Sequence, residues 1–142
     1  MILAILTTSF TFLLSGALHY VIVSSAIRHL GAATYHRGCK LVIALCVSGI
    51  AHIGAVSLYA LAYGAGRALG IGDLRGETPA TAMDVFYFSL VSYTSLGLGD
   101  IVPTGHLRLI AGVEALNGFL LISCSAAMLF LFIRDGDKAK SP

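Results

Sequence analysis

Three long runs of this chain are almost free of charge: Ile2 to Ile27, Leu41 to Gly66 and Leu109 to Ile133. The first two hold no Asp, Glu, Lys or Arg, and the third holds only Glu114. A helix of about 20 apolar residues crosses the hydrocarbon core of a bilayer with its backbone polar groups satisfied internally. Each run therefore reads as a transmembrane helix. The first lacks the basic start of a secretory signal and exceeds a signal's apolar core, so a retained span is expected. Composition agrees: 57% of the 142 residues are hydrophobic and 11% charged, where a soluble domain carries about 25% charged residues. A net charge of +2 supplies no basic face for nucleic acid. The three cysteines, Cys39, Cys46 and Cys124, show neither zinc-site spacing nor a disulfide framework. The expectation is an all-α integral membrane protein whose main surroundings are the lipid bilayer.

The loop between the first two runs carries Arg28, Arg37 and Lys40, and the tail after the third carries Arg134, Lys138 and Lys140. The long connection between the second and third runs carries Arg67, Arg75 and Arg108 beside Asp73, Glu77, Asp84 and Asp100. Three spans put the first loop and the tail on one side, and their basic surplus assigns that side to the cytoplasm. A multi-pass protein of the cell (inner) membrane is expected, N-terminus outside and C-terminus cytoplasmic. With a tail of 135–142, no cytoplasmic ligand-binding domain is expected. Neither of the first two spans has the recurring arginines of a voltage sensor.

The long connection changes character partway. Arg67 to Thr78 is Gly-rich and charged, an exposed turn. Pro79 to Thr94 then becomes apolar and aromatic, with Met83, Val85, Phe86, Tyr87, Phe88, Leu90, Val91 and Tyr93. Thr78-Pro79 is one helix start, a hydroxyl cap followed by proline; Thr81, with Asp84 three residues on, is another. A helix over 79–94 is too short to cross, so it is re-entrant or interfacial. The segment beyond it decides between the two: Thr94-Ser95-Leu96-Gly97-Leu98-Gly99-Asp100, then Pro103. Alternate glycines give the backbone access to left-handed torsions. At membrane depth, unpaired carbonyls are tolerated only inside protein or along a water-filled path. There, a row of them replaces the hydration shell of a cation. The negative end of the short helix points at the same place.

These residues resemble the pore module of the potassium-channel superfamily: outer helix, pore helix, filter, proline and inner helix. Thr94-Ser95 stand at the family's two threonines, Leu96 to Asp100 at its Val-Gly-Tyr-Gly-Asp, and Pro103 behind them. The arrangement looks like small bacterial members with one extra N-terminal transmembrane helix. The resemblance implies three transmembrane helices plus a re-entrant pore helix and filter loop, assembled as a tetrameric channel, a homotetramer. Residues 1–40 would be the extra helix and a cytoplasmic loop, and 41–134 the pore module. Within that module the outer helix would be 41–66, the pore helix 79–94, the filter 95–99 and the inner helix 107–134. Potassium ions would bind at Ser95, Leu96, Gly97 and Leu98, with Gly99 completing the filter, Thr94 supporting it and Asp100 at its mouth. Asp100 would either concentrate cations as an acidic ring or brace the filter. The chain would be no enzyme and would need no cofactor beyond the permeant ion. Three departures stand out: Ser95 for the lower threonine, Leu96 for Val, and Leu98 for a Tyr whose hydroxyl braces the family's filter. Filters reading Gly-Leu-Gly occur in one repeat of some two-pore-domain potassium channels. The changes at Ser95 and Leu98 favour the alternative, a weakly selective cation channel.

Several residues admit two readings each. Gly118 matches the family's inner-helix hinge, or it admits a close neighbour. With Gly118 so placed, Phe119, Ile122, Ala126 and Phe130 fall on one stripe, lining a cavity that gates by dewetting or packing against lipid. Glu114 would lie behind the filter, bonded to Ser92, Tyr93 or a backbone group, as a brace or a proton sensor. His19 and His52 read as packing histidines. The competing function of another class, a three-helix haem- or metal-binding membrane protein, would be built on them. His106 reads as part of a wet loop. The first span is expected at the periphery, packed on the outer helix.

Overall fold

The computed structural model describes residues 1–77 and 80–138, with 131–138 described as backbone only. Three long helices dominate: α1 (Ile2–Ala32), α2 (Arg37–Ala68) and, last in the chain, α4 (Leu107–Lys138). All three are long and apolar enough to cross a membrane, and none contains a proline to break it. The short helix α3 (Ala82–Tyr93) and a two-residue ladder, β1 (Leu74–Arg75) with β2 (Val102–Pro103), fill the connection between α2 and α4. The molecule is an all-α integral membrane protein.

α1 and α2 run past their apolar cores, through Arg28 at one end and Arg37 and Lys40 at the other. Only residues 33–36 separate them, so the basic residues sit on helical turns, not in a loop. α1 turns its polar side inward. Ala4, Thr8, Thr11, Ser15 and His19 recur every three or four residues and are buried, while Ile2, Leu6, Phe10, Leu13 and Tyr20 face outward. Lipid is as apolar as leucine, so helices in a bilayer associate through close packing and hydrogen bonds, not through the hydrophobic effect. An inward stripe of small and polar residues is the natural result. α1 packs on α4 as well as on α2. The packing on the outer helix is as expected; the contact with the inner helix is additional, and there Ser15 and His19 find partners.

α2 ends in a tight cap. Gly70 adopts φ 69°, its N–H donates to the Arg67 carbonyl, and the Ile71 N–H donates to that of Gly66. This is a Schellman cap with glycine at its left-handed position. The following chain is fastened to the segment beyond the filter. Leu74 pairs with Pro103 and Arg75 with Val102, the Thr104 N–H donates to Asp73 O at 2.8 Å, and the His106 N–H donates to Ile71 O at 2.9 Å. Arg67 Nε reaches Asp73 Oδ1 at 2.7 Å, and its guanidinium also donates to the Ala80 carbonyl.

α3 begins at the Thr81 cap, whose hydroxyl accepts from the Asp84 N–H while the Asp84 carboxylate accepts from the Thr81 N–H. The competing start at Thr78-Pro79 lies outside the described residues, as does Lys140 of the tail. With 12 residues, α3 is about 18 Å long against a hydrocarbon core of about 30 Å, so it is too short to cross. Val85 and Phe88 of α3 pack with Tyr59 and Tyr63 of α2 and with Leu107 and Ile110 of α4. Tyr63 and Phe88 meet edge to face at 5.1 Å.

Candidate functional site: the filter loop and its support

The carboxyl end of α3 runs directly into the glycine string. The Ser95 N–H donates to the Ser92 carbonyl and the Leu96 N–H to that of Val91. That is the Schellman pattern again, and here Ser95 occupies the left-handed position at φ 57°. A non-glycine residue is rare there, because its Cβ crowds the following carbonyl. Gly97 at φ 56° and Gly99 at φ 81° follow, so left-handed torsions fall on every second residue from Ser95 to Gly99. Alternation of this kind turns successive peptide planes so that their carbonyls can share one side. Nothing lies within 4 Å of a Cβ built on Gly97 or Gly99. Within one chain, torsion and not crowding is what favours glycine at both. Leu96 and Leu98 are 62% and 59% exposed on the single chain, leaving the loop's surface free for other copies.

The Thr94 hydroxyl turns back to the Leu90 carbonyl at 2.9 Å, supporting the last turn of α3. At the far end of the loop, Tyr87 donates its hydroxyl to Asp100 Oδ2 at 2.8 Å. That hydrogen bond and the adjacent carboxylate hold the Tyr87 phenol above its ordinary range. Tyr87 is thus a brace from the pore helix to the loop's end, in a chain whose Leu98 has no hydroxyl to give. Asp100 acts here as its acceptor.

Behind α3, α4 presents a buried polar face. Glu114 is fully buried; its Oε1 lies 2.5 Å from Ser89 Oγ and its Oε2 accepts from Tyr63 Oη at 2.5 Å. Ser89 also reaches the Val56 carbonyl at 2.8 Å. That hydroxyl has one proton for two acceptors, so a proton on the carboxyl completes the set. Glu114 thereby ties inner helix, pore helix and outer helix together. Its partner on α3 is Ser89, one turn before the expected Ser92 or Tyr93, and Tyr63 was not among the expected partners. Asn117 donates to Ser15 Oγ at 2.5 Å and to Tyr59 Oη at 3.0 Å. Gly118 sits against the Tyr93 carbonyl, which any Cβ would strike. A close neighbour alone therefore demands glycine there, and α4 continues through it without interruption.

His19 and His52 come together, ring centroids 5.1 Å apart, and each has a hydroxyl partner. A ring nitrogen of His19 lies 2.9 Å from Ser125 Oγ, and one of His52 lies 2.9 Å from Tyr93 Oη. Among the described residues, no three or more metal-ligating side chains gather into one group. Phe119, Ile122, Ala126 and Phe130 are exposed on α4, on the side turned from the buried polar face. His106 is exposed, with its backbone N–H in the loop ladder. Tyr87, Tyr63, Ser89, Ser15 and Ser125 are members of this support that sequence reasoning missed. Polar residues inside lipid-length runs carried the signal for Ser15 and Ser125.

A short re-entrant helix, ending in a loop of alternating left-handed torsions and held between two membrane helices, defines a pore-forming module. Residues 51–135 match the ion-channel family, more than half of the 142-residue chain. The chain belongs to that family, and its three long apolar helices suit a membrane-embedded member. It is also similar to the inward rectifier potassium channel Kirbac3.1 of Paramagnetospirillum magnetotacticum, with 32% identity over 76 residues, 52% of this chain and 24% of that protein. The chain thus spans about a quarter of the length of the curated relative it matches. No solved structure matches the chain.

Proposed function

We propose that this chain forms a homotetrameric, potassium-selective channel that conducts K+ passively through carbonyls of Ser95, Leu96, Gly97 and Leu98, with Gly99 completing the filter. The observation that carries the proposal is the run of left-handed torsions at Ser95, Gly97 and Gly99 directly after a re-entrant helix. One chain supplies one such segment, so copies around an axis must enclose the path. The resemblance to a potassium channel over 76 residues supports the choice of ion. Residues 41–134 are the pore module, residues 1–40 the additional helix and loop, and no cofactor is needed beyond the permeant ion. The filter opens to the outside and the basic ends of α1 and α4 face the cytoplasm. Phe119, Ile122 and Phe130 line the cavity below the filter, and Gly118 is the point about which α4 bends to open it.

The Tyr87–Asp100 bond favours strict over weak selectivity, since it supplies a loop brace that Leu98 cannot. The test is the reversal potential of reconstituted protein under opposed potassium and sodium gradients. A value near the potassium equilibrium potential is expected. A value near zero, with current lost in Gly97→Ala, would leave a weakly selective cation channel. Absence of any cation flux from folded protein would overturn the proposal.

A further inference from the structure

Among the described residues, two side-chain hydrogen bonds join the additional helix to the inner helix, and they fall on opposite sides of Gly118. Ser15 bonds Asn117 at 2.5 Å, one residue before the glycine, and His19 bonds Ser125 at 2.9 Å, seven residues after it. All four side chains are buried, at 0%, 2%, 4% and 4% exposure for Ser15, Asn117, His19 and Ser125. Ser15 and His19 are one turn apart on α1, about 6 Å along its axis; Asn117 and Ser125 are about 12 Å apart on α4. A single turn of α1 thus grips α4 above and below its only glycine between Gly112 and Gly136. His19 is itself backed by the His52 ring at 5.1 Å. His52 in turn bonds Tyr93, whose carbonyl rests on Gly118. The grip is therefore anchored to α2 and α3 as well.

We infer that α1 is a splint across Gly118: through Ser15–Asn117 and His19–Ser125 it holds the two halves of the inner helix in line, and opening requires the His19–Ser125 contact to break. The geometry leaves little alternative. If α4 bends at Gly118, Asn117 and Ser125 can no longer both meet a straight α1. The bond nearer the hinge moves least, so the one further out, His19–Ser125, is the one released. His19 and Ser125 are positioning residues in this scheme, setting the balance between straight and bent α4 without touching the ions. The inference rests on the proposal that Gly118 is the bending point of a conducting pore.

The test separates the two. Spin labels at Ile43→Cys on α2 and Phe130→Cys on α4, in protein lacking its three native cysteines and spin-diluted in lipid nanodiscs, report the position of the inner helix within one chain whether or not it conducts. Ser125→Ala and His19→Ala are expected to shift or broaden that distance distribution alike, the double variant no further than either single. His19→Gln, which keeps a donor and an acceptor, is expected to restore the parent distribution. In single-channel recordings, Ser125→Ala is expected to raise open probability relative to closed about two- to tenfold, the effect of one hydrogen bond on an equilibrium. Its reversal potential should stay where it was. A distribution in Ser125→Ala that superimposes on the parent's would overturn the splint. So would additive effects of the two substitutions, or a moved reversal potential with unmoved open probability. Loss of conduction in the parent, with the distance changes intact, would instead count against the channel proposal alone.

Discussion

The pore helix has two sides, and they are specified by different physics. On its filter side, α3 runs into a loop whose form depends on torsions at single residues, Ser95, Gly97 and Gly99. There the glycines meet no neighbour within 4 Å. On its rear side, the same helix is held by pairs of side chains far apart in sequence: Ser89 with Glu114, and Tyr93 with His52. The filter side is encoded residue by residue, through torsions that favour glycine. The rear side is encoded by complementarity, so a loss there leaves a partner stranded and an isostere can repair it.

The sharpest way to break the filter side is Gly97→Ala. Left-handed torsion at alanine carries a penalty of about 1–2 kcal/mol. Cation flux into proteoliposomes is expected to fall at least tenfold, the equivalent of about 1.4 kcal/mol, with the fold intact. On the rear side, Glu114→Ala should lower unfolding free energy in detergent by roughly 2–5 kcal/mol, since Tyr63 and Ser89 each lose a partner and a cavity opens. Glu114→Gln, able to donate to Ser89 and accept from Tyr63, should recover most of that loss; equal damage from both substitutions would erase the distinction between the sides. Smaller, and opposite in sign, is Ser95→Gly. It relieves a left-handed serine and is expected to raise stability by up to about 1 kcal/mol, read from a shifted melting temperature.

The smallest effect concerns the loop ladder. The Leu74 N–H and then the Arg67 guanidinium hold the Asp73 carboxyl below its usual range. The Thr81 backbone N–H and then its hydroxyl do the same for Asp84. A carboxyl with a depressed folded-state pKa stabilises the fold above its unfolded pKa, and that stability is lost as pH falls through the folded value. Hydrogen exchange across residues 70–85 should therefore be flat with pH, after correction for intrinsic rates, down to about pH 4, and protection should fall only below it.

How much could be read beforehand obeys the same division. The three spans, the re-entrant helix and the glycine string each lie in a contiguous segment, where hydrophobic length and residue type suffice. Thr81 and Asp84 announced their capping box three residues apart. Glu114 stood out because a carboxyl inside an apolar run needs a partner, but periodicity could not choose Ser89 over Ser92, which lie one turn apart on the same side of α3. Tyr63 lies 51 residues from Glu114, and Ser125 lies 106 from His19; no local pattern joins such pairs. The inward polar stripe of α1 was visible as spacing, yet its partner on α4 depends on how the helices pack. The ladder of two short strands arises because the loops after α2 and after the filter end side by side, which two-residue segments cannot reveal.

The cap at Ser95 has a mechanical consequence. Because the N–H groups of Ser95 and Leu96 are the atoms that close the last turn of α3, the loop and the helix share hydrogen bonds instead of merely touching. The first residues of the loop therefore cannot be displaced as an independent flap. Any rearrangement that reaches Ser95 must unwind a turn of helix, while one confined to Leu98 and Gly99 need not. Collapse of this loop should accordingly begin at Leu98 and Gly99, between that joint and the Tyr87–Asp100 bond, and stop at the joint.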